Sequence, residues 1–371
     1  MKGAMGKQTA SGPLQGLKVI EMAGIGPSPM AAMLLADMGA EVVRIVRPER
    51  DADDARDSVL RGRRNVQLDL KTAVDVAALL ALIERADVLI EGFRPGVMER
   101  LGVGPDIALE RNSRLIYGRI TGWGQSGPLA RTAGHDINYI ALTGALACIG
   151  AQNGGPVPPL NLVGDYGGGA LYLLVGILAA LFEVGRSGNG QVVDSAMVDG
   201  AASLMSAIYA WRSMGMWGDG RGNNLLDGGA PFYGTYQCSD GGFIAVGSME
   251  QKFFDAMLRI MGLADSDFAD RDNPASWPRL RERLQETFRR KTRAEWSSLL
   301  EFTDACCAPV LTMSEAPHHA HLAARKTFVH WNGQLVPAPA PRFSRTPSQI
   351  DQDSNSKLQD ASTIIHEWSA T

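Results

Sequence analysis

The sequence predicts an α/β protein: a large α/β domain built on a parallel sheet, followed by a smaller α+β domain. Three observations carry this. Short β-branched runs alternate with helix-patterned stretches through the first third of the chain. A glycine-bearing turn joins the first strand to the first helix. Beyond residue 200 the composition shifts toward Met, Trp and Gly before a new hairpin signal. At 371 residues the chain exceeds what one hydrophobic core usually organises, so two domains are expected.

The elements follow in order. "LKVIEMAG" reads as a strand, "SPMAAMLLADMG" as a helix ended by Gly39, and "AEVVRIVRP" as a strand closed by Pro48. "LDLKTAVDVAALLALIERADVLIEGF" repeats the pattern, with Leu79, Leu80, Leu82 and Ile83 on a helix before a strand at 87–90. "RLIYGRITGWG" is a further strand, and "INYIALTGALACIG" a helix after the turn at Gly134. The longest apolar run, 170–182, falls short of the roughly 20 residues a spanning helix needs and reads as a buried helix. "GTYQCSDGGFIAVGS" is a hairpin around 239–242, with helices in "EQKFFDAMLRIMG" and "RLRERLQETFRRKTRAEWSSLLEF". "VPAPAPRFSRTP" reads as an extended crossing segment. The expected boundaries are 1–190 for the large domain, 191–228 for a linker with helix, 229–325 for the small domain, and 326–371 for a return linker completing the large one.

Composition excludes several classes of function. A net charge of -4 lacks the basic surplus of a nucleic-acid binder. Four irregularly spaced cysteines form neither a disulfide framework nor a paired zinc motif, which fits a reducing cytoplasm. The N-terminal "MKGAMGKQTASG" has no apolar signal core, and no membrane association is expected. "HHAH" places His318, His319 and His321 in different directions without a matching ligand set, so no metal is expected. The turn "AGIGPSPM" offers Gly24 and Gly26 to a dinucleotide fingerprint but has Pro29 at the third glycine, which removes an amide donor. A nicotinamide site is disfavoured.

Two stretches carry chemistry. His135 and Asp136 sit where a helix begins; the positive helix end favours a neutral imidazole, which is a base, and the free amides at that turn can hold an oxyanion. Asp165 precedes a glycine run, read as a loop that opens the long apolar helix. Glu250 opens a helix of the smaller domain. Each of these residues is equally suited to capping a helix, and the residues alone leave the choice open.

The blocks "LKVIEMAGIGPSPMAAMLLADMGAEVVRI", "GRRNVQLDLK", "IEGFRPGVMERLG", "GWGQSGPL", "AGHDINYIALTG", "NLVGDYGGG" and "GNGQVVDSAMVDG" together resemble the family III CoA-transferases (CaiB/BaiF type), and within them the α-methylacyl-CoA racemase branch. The resemblance implies a Rossmann-like large domain, a small α+β domain, long linkers and an interlocked homodimer. It implies that Asp165 matches the family aspartate, and that His135 and Glu250 mark the racemase branch. It further implies CoA binding by Arg47, Leu68, Leu70, Lys71, Arg94 and Arg100, and acyl binding by Ile25 with Met197, Met205, Met214, Met216 and Met249. Methionine at such spacing is also ordinary core. The implied reaction is two-base proton transfer at the α-carbon of a 2-methylacyl-CoA thioester through an enolate, a step of lipid and fatty acid metabolism. The Asp136 amide supports the oxyanion, Glu250 orients His135, and no cofactor is needed beyond the CoA of the substrate. The alternatives are a CoA-transferase with Asp165 as nucleophile and, further off, a non-catalytic acyl-CoA binder.

Overall fold

The computed structural model describes residues 11–48, 56–351 and 358–370. The strands are β1 Lys18–Met22, β2 Glu41–Val46, β3 Arg63–Gln67, β4 Val88–Glu91, β5 Ile116–Thr121, β6 Gln191–Ala196, β7 Tyr233–Gln237, β8 Phe243–Gly247, β9 Cys307–Pro309, β10 Phe328–Trp331, β11 Gln334–Pro337 and β12 Leu358–Gln359. The helices used below are α1 Pro27–Asp37, α2 Ala73–Ile83, α3 Asp136–Leu142, α4 Tyr172–Ser187, α5 Met197–Leu204, α6 Gln251–Met261, α7 Trp277–Phe288, α8 Arg293–Leu300 and α9 Ala361–Ser369.

The chain divides into two compact units. One comprises residues up to Thr143, Leu160–Leu204 and His321 onward; the other comprises Gly144–Pro159 and Met205–Ala320. In the first, seven parallel strands lie in the order β12-β3-β2-β1-β4-β5-β6. The inner run 3-2-1-4-5-6 is the doubly wound Rossmann order, so the expected large domain is present.

Alternation along the central strands divides the apolar residues between two cores. Ile20, Val43 and Leu89 face α2 and α9 through Leu79, Leu82, Ile364 and Trp368. Their neighbours Val19, Val42 and Val88 face α1 and α4 through Leu35, Leu173 and Ile177. Both faces of a parallel sheet are thereby covered.

Three strands depart from the expected list. β3 is rich in charge, yet Arg63 is buried because Glu21 accepts from its Nε at 3.0 Å. Arg61 just before it grips Asp37 through two nitrogens at 2.8 and 2.6 Å. β6, read as the start of a linker, is an edge strand of the sheet, and its half-exposed QVVDSA lacks the apolar run of an inner strand. β12 is only two residues long.

The long apolar helix also differs. The glycine run is not a loop: Leu162–Leu171 is a π-helical segment continuous with α4, making 26 helical residues from Leu162 to Ser187. Length and composition alone would let it cross a membrane. Here Leu173, Ile177, Ala180 and Val184 instead bury one of its faces in the sheet's core.

The second unit holds the antiparallel sheet β7-β8-β9, with the expected hairpin joining β7 to β8. Phe254, Leu280, Phe288 and Trp296 from α6, α7 and α8 close its own core.

Leu173 is fully buried, in the core between α4 and the sheet. Truncating it to Ala removes buried methyl groups from a site that relaxes only in part, so a loss of about 2–5 kcal/mol is expected. A lowered denaturant midpoint in chemical unfolding checks it.

Candidate active site

Doubly wound sheets bind ligands outside the carboxyl ends of their strands, where the strand order reverses. Here that point lies between β1 and β4. β1 ends at Met22 and the chain turns into α1 through Gly26, whose φ of +73° is left-handed and suits glycine. β4 ends at Glu91, which is fully buried. Its Oε2 accepts from the Phe93 N–H at 2.7 Å and its Oε1 from Arg119 Nε at 2.8 Å. Arg119 also reaches Glu99 at 2.9 Å. Burial pushes the Glu91 carboxyl up, against these bonds. The network fixes the turn that carries Phe93 and Arg94.

A cleft of about 340 Å³ opens at this end, and His135 and Asp165 both line it, with Ile25, Phe93, Trp123 and Tyr139. His135 is exposed and precedes α3, its backbone N–H donating to Asn138 Oδ1 at 3.0 Å. The Asp136 and Ile137 amides head that helix, where no earlier turn supplies an acceptor. The Asp136 side chain is buried, and its Oδ2 accepts from the Gly164 and Asp165 N–H groups, each at 2.7 Å.

Asp165 thus sits in the first turn of the π-helical segment, an irregularity frequent at functional sites. Burial raises its carboxyl above the ordinary value and the Asp136 charge adds to that, while the Asn161 amide at 3.4 Å and His135 pull the other way. Tyr139 donates its hydroxyl to the Gly134 carbonyl and meets Trp123 edge to face, ring centres 4.8 Å apart. Burial, then the charges of Asp165 and Asp136, push its phenol up to about 12, so it remains a neutral donor.

Close backbone packing holds the π-helical segment in place. A Cβ on Gly200 of α5 would fall 1.9 Å from the Gly168 carbonyl oxygen, and one on Gly168 would fall 2.6 Å from the Ala201 nitrogen. Only glycines allow these two backbones to touch.

A second cleft of about 210 Å³ lies at the ends of β1 and β2 and meets the first at Phe93. Arg47, Leu68, Leu70 and Lys71 line it together, and the Arg47 guanidinium stands 5.5 Å from the centre of the Phe93 ring. Arg94 lines the first cleft instead. Arg100 ends the short helix Val97–Arg100, exposed and outside both linings.

The candidate acyl residues scatter. Ile25 and Met197 line the first cleft. Met205, Met214, Met216 and Met249 belong to the second unit, where Met214 and Met216 are exposed and Met249 packs on its core. Glu250 is also in the second unit, exposed immediately before α6, with its charge near Cys306. His319 does find a carboxylate, its Nε2 lying 2.7 Å from Glu301 Oε1. Among the described residues no three metal-ligating side chains gather. Trp123, Tyr139 and the carboxylate role of Asp136 escaped the sequence reading; the aromatic pair has no chemical signature, and Asp136 was legible only as a helix start.

Fold and cleft together define a doubly wound α/β protein with an imidazole and a carboxyl of raised affinity for protons at its switch point. The model of CoA-transferase family III matches residues 14–354, and the chain belongs to that family. It is 47% identical over 336 residues to the alpha-methylacyl-CoA racemase of Mus musculus, covering 90% of this chain and 87% of that one. To the Homo sapiens protein of the same name it is 45% identical, with the same coverage. A crystal structure of a CAIB/BAIF family protein from Brucella suis superposes with a TM-score of 0.81 at 25% identity, covering 96% of this chain and 100% of that one.

Gly200→Ala is expected to force α5 from the π-helical segment and to cost about 1–3 kcal/mol or more. Gly185→Ala, in α4 with nothing within 4 Å, should instead stabilise by about 0.5–1 kcal/mol. Thermal melts of the two variants beside the parent protein check this opposition in sign.

Proposed function

We propose that the protein is an α-methylacyl-CoA racemase, inverting the α-carbon of 2-methylacyl-CoA thioesters by two-base proton transfer. The observation that carries this is the pairing of His135 and Asp165 on one cleft at the switch point; the racemase relatives at 45–47% identity support it. Inversion requires a base on one side of the α-carbon and an acid on the other. Neutral His135 takes the α-proton, the electron pair moves into the thioester oxygen, and protonated Asp165 delivers its proton to the opposite face. His135 is then protonated and Asp165 ionised, which is the starting form for the other enantiomer. The raised affinity of Asp165 for its proton suits a group that must act as acid as well as base. The Asp136 amide holds the enolate oxygen.

The CoA moiety occupies the second cleft, its phosphates met by Arg47 and by Arg100 from outside the lining, its adenine set among Leu68, Leu70 and Lys71, with Arg94 in the first cleft. Supporting this is Phe93, which lines both clefts. The acyl chain runs past Ile25 and Met197. No cofactor beyond that CoA is required. The active form is an interlocked homodimer in the cytoplasm. In favour of a dimer are Val175 and Phe182 of α4, apolar yet 65% and 71% exposed. In favour of the cytoplasm are four free cysteines.

Deuterium uptake at the α-carbon in heavy water, with chiral analysis and no acceptor acid present, tests the reading. Uptake with loss of chirality is expected, and His135→Ala and Asp165→Ala should each slow racemisation by roughly 10²–10⁴-fold. No uptake, together with CoA movement to an added carboxylic acid and hydroxylamine trapping of an acylated Asp165, would make the chain a transferase instead.

A further inference from the structure

We propose that the Asp136 carboxylate, as distinct from its amide, is the positioning residue of the site, setting both where the Asp165 carboxyl stands and in which direction of reaction it is strongest. This rests on the two-base reading above. The two N–H groups that Asp136 Oδ2 holds belong to Gly164 and to Asp165 itself, so the contact acts on the backbone of the base. A Cβ on Gly164 would come within 2.6 Å of that oxygen, and the glycine therefore keeps the approach open.

The Asp136 side chain does not cap its own helix. It reaches 28 residues ahead to the start of the π-helical segment. At that wide π-helical turn a carboxylate is the acceptor best matched to two amides.

The charge of Asp136 is not cancelled. The residue is 6% exposed, its Oδ1 is buried without a hydrogen-bond partner, and among the described residues no Lys or Arg pairs with it. A second carboxyl close by then holds its proton more tightly. The groups that act electrostatically on Asp165 are Asp136, which raises its affinity, and His135, which lowers it. From the other elements packed on this turn come Arg119 of β5, committed to Glu91 and Glu99, and Asp194 of β6 and Asp199 of α5, none of which bears on Asp165. α1 presents Gly26 there, and Tyr139 of α3 stays neutral.

Asp136→Asn keeps an oxygen acceptor and removes the charge; Asp136→Ala removes both. The readout is α-proton exchange in heavy water, measured separately from the R and S thioesters across pH. For Asp136→Asn we expect folding and KM to be retained. The acidic limb of exchange should move to lower pH for one enantiomer, the one Asp165 deprotonates, and stay put for the other. For Asp136→Ala we expect that enantiomer's exchange to fall by about 10²-fold, as for a base displaced by an ångström, with the Asn variant restoring most of the rate.

An Asn variant with parental rates and parental pH profiles for both enantiomers would overturn the electrostatic role. Equal losses for both enantiomers in both variants would reduce Asp136 to general support of the fold. A parental enzyme that exchanges neither enantiomer would instead sink the racemase reading and leave these outcomes unmistakable for it.

Discussion

In the large unit two stretches of bare backbone lie against each other, at Gly168 in the π-helical segment and Gly200 in α5. Side chains would hold these helices apart; glycines bring them to touching distance, and the site inherits its dimensions from that distance. Asp165 lies three residues before Gly168, on the same irregular segment. α5 begins with Met197, which lines the cleft, and follows directly from the edge strand β6. The sheet thus locates α5, α5 locates the π-helical segment, and that segment locates the carboxyl. The link between the two helices is steric, which is why it tolerates so little substitution at Gly168 and Gly200.

On this frame the charges are distributed unevenly. Around Asp165 stand one carboxylate without a cationic partner, one imidazole and a phenol that stays neutral. Below the opposite wall, Arg119 is shared between Glu91 and Glu99 and brings no charge to the cleft. The two arrangements serve different ends: the first leaves a group free to exchange protons, and the second ties a loop in place. A fold that carries both at the carboxyl ends of its strands separates its reactive electrostatics from its structural electrostatics.

Much of this was legible in the sequence, for identifiable reasons. The central strands β1, β2, β4 and β5 are β-branched and buried on both faces, so composition alone marks them. β3 was not, because Arg63 in it and Arg61 just before it are buried through partners, Glu21 and Asp37, that stand far off in the chain. β6 was missed because edge strands need no apolar run. The glycines after Asp165 read as a loop since glycine weakens helices locally; the backbone contact with α5 overrides that preference, and no local pattern reports it. His135 and Asp165 stood out by chemistry and by family likeness together, whereas Tyr139 and Trp123 matter through shape, which a linear reading does not carry.

The order in which the chain visits its two units has a consequence for synthesis. The path leaves the large unit after Thr143, returns at Leu160, departs again after Leu204 and comes back at His321. The sheet begun by the first strands therefore stays open at one side until β6 is made, and at the other until β12 and α9 emerge. Ile364 and Trp368 of α9 fill the core beside β3, so that face is unsealed while the whole second unit is being produced. A chain emerging from the ribosome must hold a half-built apolar face through that interval. Folding of the larger unit is thus completed only after the second unit has been synthesised, not domain by domain from the N-terminus.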